Sequence, residues 1–227
     1  RCGSLLQGGT LDSILSKVAL LVGLVIGITV HECAHAWSAN ELGDPTARYQ
    51  GRISLNPIVH LDPVGTMLML YSLLVGFGIG WGKPTPVNPR YFKYGPRVGL
   101  ALVSVAGPLS NILTAIVFAL PLRLGIPLPG TLEIFLWFVV LANIGLAVFN
   151  LIPIPPLDGF SILMGILSQI RGWWSFQLTQ WLRVVEAQGP LVFIFILMFD
   201  WMMPGPGILG TIMGPPIRLL YSLIVGA

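Results

Sequence analysis

The sequence predicts an all-α polytopic membrane protein, a bundle of about five to six transmembrane or re-entrant helices with a small β-hairpin at the membrane edge. Three observations predict it. Of 227 residues, 55% are hydrophobic and 9% charged, whereas a soluble domain carries roughly a quarter charged residues to cover its water-facing surface. Several apolar stretches approach or exceed the roughly 20 residues that cross a hydrocarbon core. The 19 prolines and 27 glycines imply broken helices, which are tolerated at membrane depth only where protein or a wet cavity receives the backbone.

The first helix is expected from about Leu11 to Glu41, with Asp12 or Ser13 as N-cap and Gly43-Asp44-Pro45 as its stop. Residues 46–55 (TARYQGRISL) are polar and partly alternating, which reads as a strand or hairpin before the turn at Asn56-Pro57. A second apolar segment runs from Pro63 to Gly82. In residues 83–97, Pro84, Pro86 and Pro89 exclude a helix and leave an extended edge strand. Spanning helices are expected at 98–122 and 131–152. Pro153-Ile154-Pro155-Pro156-Leu157-Asp158-Gly159 then breaks the chain before a half-helix at 160–170. Residues 171–188 combine Trp173, Trp174 and Trp181 with Arg183 and Glu186, a composition suited to the interface. Two apolar stretches follow, 191–203 and 208–225, the second interrupted by Gly214-Pro215-Pro216.

The formal charge of +3 is small and unclustered, which argues against nucleic acid as a partner. Two cysteines, Cys2 and Cys33, give no disulfide framework; Cys33 reads as a small space-filling residue. Residues 1–10 lack the charged region and cleavage site of a signal peptide. One domain, 1–227, is expected, with a catalytic core at about 11–170 and residues 171–227 as a candidate gate.

The chemistry is concentrated in His31-Glu32-Cys33-Ala34-His35, at the end of an almost unbroken apolar run from Ile14 to Val30. On a helix, His31 and His35 share a face and can reach one ion, while Glu32 can address a water bound to it. Ionisable groups in so apolar a stretch are expensive unless they share a task. A catalytic zinc usually has three protein ligands and an open position, so a third ligand must come from elsewhere. Candidates are His60, Asp44, Asp62, Glu133, Asp158, Glu186 and Asp200. Asp158 stands out because it follows a proline-broken stretch at the end of an apolar helix, the arrangement that brings ion-binding groups into membrane interiors.

Topology constrains this pairing. If the segment from Pro63 to Gly82 crossed the membrane, Asp158 would end opposite His31. If it dips in and returns, Asp158 lies beside His31 and His35, and Arg48, Arg52, Lys83, Arg90, Lys93 and Arg97 all share that side. By the positive-inside rule that side is cytoplasmic, so the second segment is expected to be re-entrant. Asn143 and Asn150, seven apart, share a face, and with Asn111 read as hydrogen-bonding links between helices. His60 reads as structural.

These residues resemble the site-2 protease family of intramembrane zinc metalloproteases. The resemblance is carried by His31-Glu32-x-x-His35, Gly51-Arg52, Leu55-Asn56-Pro57-x-x-His60-x-Asp62-Pro63-x-Gly65 and Lys83-Pro84-x-Pro86-Val87-Asn88-Pro89. It continues through Ala106-Gly107-Pro108-x-x-Asn111 and Asn150-x-x-Pro153-x-Pro155-Pro156-Leu157-Asp158-Gly159. These motifs cover most of residues 28–163, and the chain looks like the short prokaryotic type without PDZ or cystathionine-β-synthase domains. The resemblance implies one Zn2+ per chain held by His31, His35 and Asp158, Glu32 as catalytic base, and Asn150 near the metal to bind substrate backbone or the oxyanion. It also implies transmembrane protein substrates, such as anti-sigma factors or signal-peptide-derived segments, cut after an upstream site-1-type protease. The implied location is the prokaryotic plasma membrane, with the site toward the cytoplasm. Two other classes compete with this reading. A metal-binding transporter or channel predicts flux without cleavage, and a membrane metallopeptidase for soluble peptides needs a wide chamber that 227 residues scarcely provide.

Overall fold

The computed structural model describes residues 10–75, 80–202, 205 and 207–226. The polar stretch before residue 10 with Cys2, residues 76–79 of the second apolar segment and Met203 lie outside the described residues. Helix α1 (Thr10–Glu41) is already helical at Thr10, so Asp12 and Ser13 lie inside its first turns and do not precede them as caps. Its 32 residues rise about 48 Å, more than the roughly 30 Å of hydrocarbon, which puts His31 and His35 toward the far end of the crossing. Gly43, at φ +112°, takes the left-handed conformation that closes such a helix most cheaply.

Helices α4 (Pro96–Arg123) and α5 (Gly130–Asn150) complete a three-helix centre with α1, each packing on the other two. Helix α6 (Asp158–Gln169) packs against α4. It starts at Asp158 itself, after a broken stretch that includes a cis peptide between Pro155 and Pro156. Helix α9 (Gly207–Val225) lies against α4 and α5, and Met213, Ile217, Leu220 and Tyr221 cover the buried Ala115, Ala119, Val140 and Ile144. Pro215 and Pro216 lie inside α9, which continues through them where a break was expected; membrane helices tolerate such prolines because neighbouring groups re-satisfy the freed carbonyls. Among the described residues four helices, α1, α4, α5 and α9, are long and apolar enough to span a membrane. A fifth crossing is counted if α7 (Trp173–Ala187) and α8 (Gly189–Met202), bent by 77°, form one.

The second apolar segment returns to its origin. Helix α3 (Pro63–Val75) is only 13 residues long. Beyond residue 79 the chain comes back so that Gly82 forms an antiparallel bridge with Leu61 and Lys83 N donates to His60 O at 2.7 Å. Its two ends are therefore adjacent, as a re-entrant segment requires.

The expected β-hairpin at 46–55 does not form. Thr46–Tyr49 is a short helix, α2, and among the described residues there is no strand beyond that single bridge. A local turn outweighs the alternating pattern: Asp44 Oδ1 accepts from both the amide and the hydroxyl of Thr46, and this turn leads into the helix. A partner strand is missing as well. Residues 83–88 form neither helix nor strand and Asn88 is extended, and Pro84 and Pro86 supply no N–H for a ladder. This strap is tied down by side chains. The buried Arg52 guanidinium donates to the carbonyls of Val59, Lys83 and Pro84, and the fully buried Asp44 accepts from Asn88 N through Oδ2.

Asp44→Ala strands three donors, Thr46 N, Thr46 Oγ1 and Asn88 N. It is expected to lower stability by about 3 kcal/mol, read as a reduced midpoint of thermal unfolding in detergent. An unchanged midpoint would show that the Asp44 contacts do not hold the strap.

Candidate metal centre

Helix α1 brings His31 and His35 onto one face, as their spacing requires, and both are buried. Their Nε2 atoms stand 2.9 Å apart, and Asp158 Oδ2, carried in by the first residue of α6, lies 3.1 Å from one and 3.3 Å from the other. Helix α4 passes directly beneath them at Gly107, where a Cβ would come within 2.5–2.6 Å of both imidazoles. Only glycine lets the helices approach so closely.

Hydrogen bonding fixes which nitrogen each imidazole presents. His31 Nδ1 meets Asn111 Oδ1 at 2.7 Å, and His35 Nδ1 meets Val103 O at 2.8 Å. Both partners are acceptors, so both Nδ1 atoms carry the proton and both Nε2 atoms present lone pairs. The orientation of Asn111 is itself determined, because its Nδ2 donates to Gly27 O at 3.0 Å and Asn143 Oδ1 at 3.1 Å. Asn143 in turn donates to Val139 O at 2.9 Å and Gly23 O at 3.5 Å. A directed chain therefore runs from α5 through α4 to the first histidine of α1.

Three lone-pair atoms thus converge in a buried space, and Asp158 Oδ2 has no hydrogen-bond partner. Such a group is costly unless a cation lies between its members. One proton would satisfy one contact, whereas a metal ion satisfies all three. Nitrogen and oxygen ligands about 2.0–2.1 Å from one tetrahedral zinc stand about 3.3 Å apart, close to the spacing here. Among the described residues His31, His35 and Asp158 form the only group of three or more such side chains placed to hold a metal ion.

The other carboxylates and the third histidine are engaged elsewhere. Asp44 accepts from Thr46 and Asn88, Asp62 Oδ1 accepts from Gly65 N, Glu186 pairs with Arg97, and Asp200 Oδ1 accepts from Leu209 N. Glu133 sits in the first turn of α5. His60 is fully buried with Nε2 on Ser54 O, a structural position. Asn150 ends α5 with its amide nitrogen donating to Leu146 O at 3.0 Å. Glu32 lies beside the pair, and its carboxylate Oε2 accepts from both the amide and the hydroxyl of Thr85, each at 2.7 Å. Sequence reasoning gave Thr85 no part in the site and Asn111 and Asn143 only a packing one. Nothing in the primary structure marks Thr85, an unremarked residue between two prolines.

A histidine pair on a spanning helix, a glutamate beside it and an aspartate from a broken helix define a membrane-embedded zinc metalloprotease. Comparison with known proteins identifies its family. The profile of "Peptidase family M50" matches residues 128–195. The chain is 42% identical over 186 residues to "Putative zinc metalloprotease YwhC" of Bacillus subtilis, covering 78% of each chain. It is 30% identical over 149 residues to "Putative zinc metalloprotease Rip2" of Mycobacterium tuberculosis H37Rv, covering 64% of this chain and 56% of that one. No solved structure matches. The chain belongs to Peptidase family M50, the site-2 protease family, and is an integral membrane zinc metalloprotease.

Outer partners of metal-bound histidines typically contribute 10–100-fold to metal affinity. Asn111→Leu is therefore expected to weaken zinc retention by about that factor, read as zinc content during titration with a chelator. Undiminished retention would reduce the chain of asparagines to helix packing.

Proposed function

We propose that the protein hydrolyses peptide bonds within transmembrane segments of membrane proteins, with its site toward the cytoplasmic face of a prokaryotic plasma membrane. The observation that carries this reading is the convergence of the buried His31 and His35 with the half-buried Asp158 among long apolar helices, beside the proline-rich strap. His31, His35 and Asp158 would hold the zinc ion, which when bound would supply the Lewis acidity that makes water a nucleophile near neutral pH.

Glu32 takes the proton from the attacking water and passes it to the leaving amine. Asn150 binds the substrate backbone or the developing oxyanion, turning its carboxamide from Leu146 to do so. A transmembrane helix shields its carbonyls with its own amides, so the substrate unwinds before attack. The strap is the edge that receives the unwound segment, through the backbone groups that Arg52, Glu32, Asp44 and His60 do not already engage. Substrates of the anti-sigma-factor or signal-peptide-derived kind, trimmed first by another protease, suit a buried site reached from within the bilayer.

Residues 171–227 act as the gate. The polar side of α7 meets the core through Arg97 and Glu186, whose charged atoms lie 3.1–3.2 Å apart, while Trp173, Trp174 and Trp181 face outward. The bend between α7 and α8 lies against the broken stretch before Asp158, since a Cβ on Gly189 would meet Pro155 at 3.1 Å. The ion pair therefore latches a bent helix pair beside the metal ligand.

In proteoliposomes with a transmembrane substrate, Glu32→Gln is expected to abolish cleavage while zinc content stays at one per chain. Asp158→Ala is expected to lose the zinc. Cleavage by Glu32→Gln, or flux without cleavage in the unaltered protein, would overturn the assignment. For the latch, Arg97→Glu and Glu186→Arg should each change cleavage of the transmembrane substrate but not of a short soluble peptide, and the double exchange should restore it. Equal effects on both substrates would argue against a gate.

A further inference from the structure

We propose that Thr85 is the positioning residue for the catalytic base, presenting Glu32 to the metal centre from outside its own helix. The inference rests on Glu32 being that base. Glu32 follows His31 directly, and among the described residues the donors to its carboxylate come from Thr85 and not from its own helix. Orientation comes from the strap instead: Thr85 N and Thr85 Oγ1 both donate to Glu32 Oε2 at 2.7 Å, and the hydroxyl also lies 3.0 Å from Glu32 O. Two donors on Oε2 leave Oε1 as the oxygen that accepts a proton. A carboxylate free to rotate about its last bond would spend much of its time misdirected, and misplacement of a catalytic group by about 1 Å can cost about 100-fold in rate.

The surroundings of Thr85 fit this task. Pro84 and Pro86 restrict the backbone on either side of it and supply no competing N–H. The strap is fastened before Thr85 by Arg52 on the carbonyls of Lys83 and Pro84, and after it by Asp44 on Asn88 N. A residue clamped on both sides can hold a carboxylate in one place. The same contacts join the proposed substrate edge to the base through a single residue, so displacement of the strap would move both together.

Two measurements on the full chain test the inference. Thr85→Val preserves volume and removes the hydroxyl; Thr85→Ser preserves the hydroxyl. With zinc-loaded protein in proteoliposomes, Thr85→Val is expected to lower kcat about 10–100-fold, with KM and zinc content nearly unchanged, and Thr85→Ser to retain most activity. In metal-free protein, Glu32→Ala is expected to speed amide exchange at Thr85 about tenfold or more, while Lys83, held by His60 O, exchanges as before. Full kcat in Thr85→Val, a loss residing in KM or zinc content, or Thr85 exchange indifferent to Glu32→Ala would each overturn it. The exchange measurement decides the matter even if Thr85→Val fails to fold. If Glu32→Gln is inactive and Thr85→Val fully active, only this inference fails; if Glu32→Gln is active, the assignment of the base fails beneath it.

Discussion

Burying three lone-pair atoms within 3.3 Å of one another is the constraint on which the structure depends. In an apolar bundle such a group can neither borrow water nor relax outward. Every element near it answers to that requirement. Helix α1 provides two of the atoms, α6 begins on the third, and α4 gives up a side chain at Gly107 so that the three can meet. The asparagine chain from α5 points the imidazole of His31 so that its free lone pair faces inward.

The loops are organised by the same logic one layer further out. A segment with prolines at 84, 86 and 89 cannot join a sheet on both edges, and the fold replaces the missing ladder with Arg52, Glu32 and Asp44. Each is a charged side chain largely withdrawn from water, and hydrogen bonds to charged groups are stronger than those between neutral ones. The result is a chain fastened beside Glu32. Because α3 and the chain after it return to Leu61, the strap reaches the helix end that carries His31 and His35.

Much of this was legible from periodicity and spacing. His31 and His35 are four apart on an apolar helix, and that alone states a metal-binding face. Asp158 could be singled out because proline breaks and hydrophobic flanks leave an aspartate little other reason to be there. That the two ends of the second apolar segment meet was expected from requiring His31 and Asp158 to share a side. The reading of 46–55 as a hairpin failed because strand-like alternation is weak evidence without a partner, and the turn at Asp44 acts more locally. The run of Gly214-Pro215-Pro216 was taken to break α9, which membrane burial allows to continue.

The sequence by itself determined a membrane protein, its long apolar helices, and the four-residue spacing that puts His31 and His35 on one face. These are properties of composition and of spacing along one helix, where neighbours in space are neighbours in register. Only the tertiary structure decided that Asn111 and Asn143 set the tautomer of His31, that Val103 does so for His35, and that Thr85 holds Glu32. Those contacts join residues 53 to 84 positions apart, or across α4 and α5, and no local pattern records which distant donor will face a given acceptor. Such pairings are set by how helices cross and where a strap is fastened, which is information the chain acquires on folding.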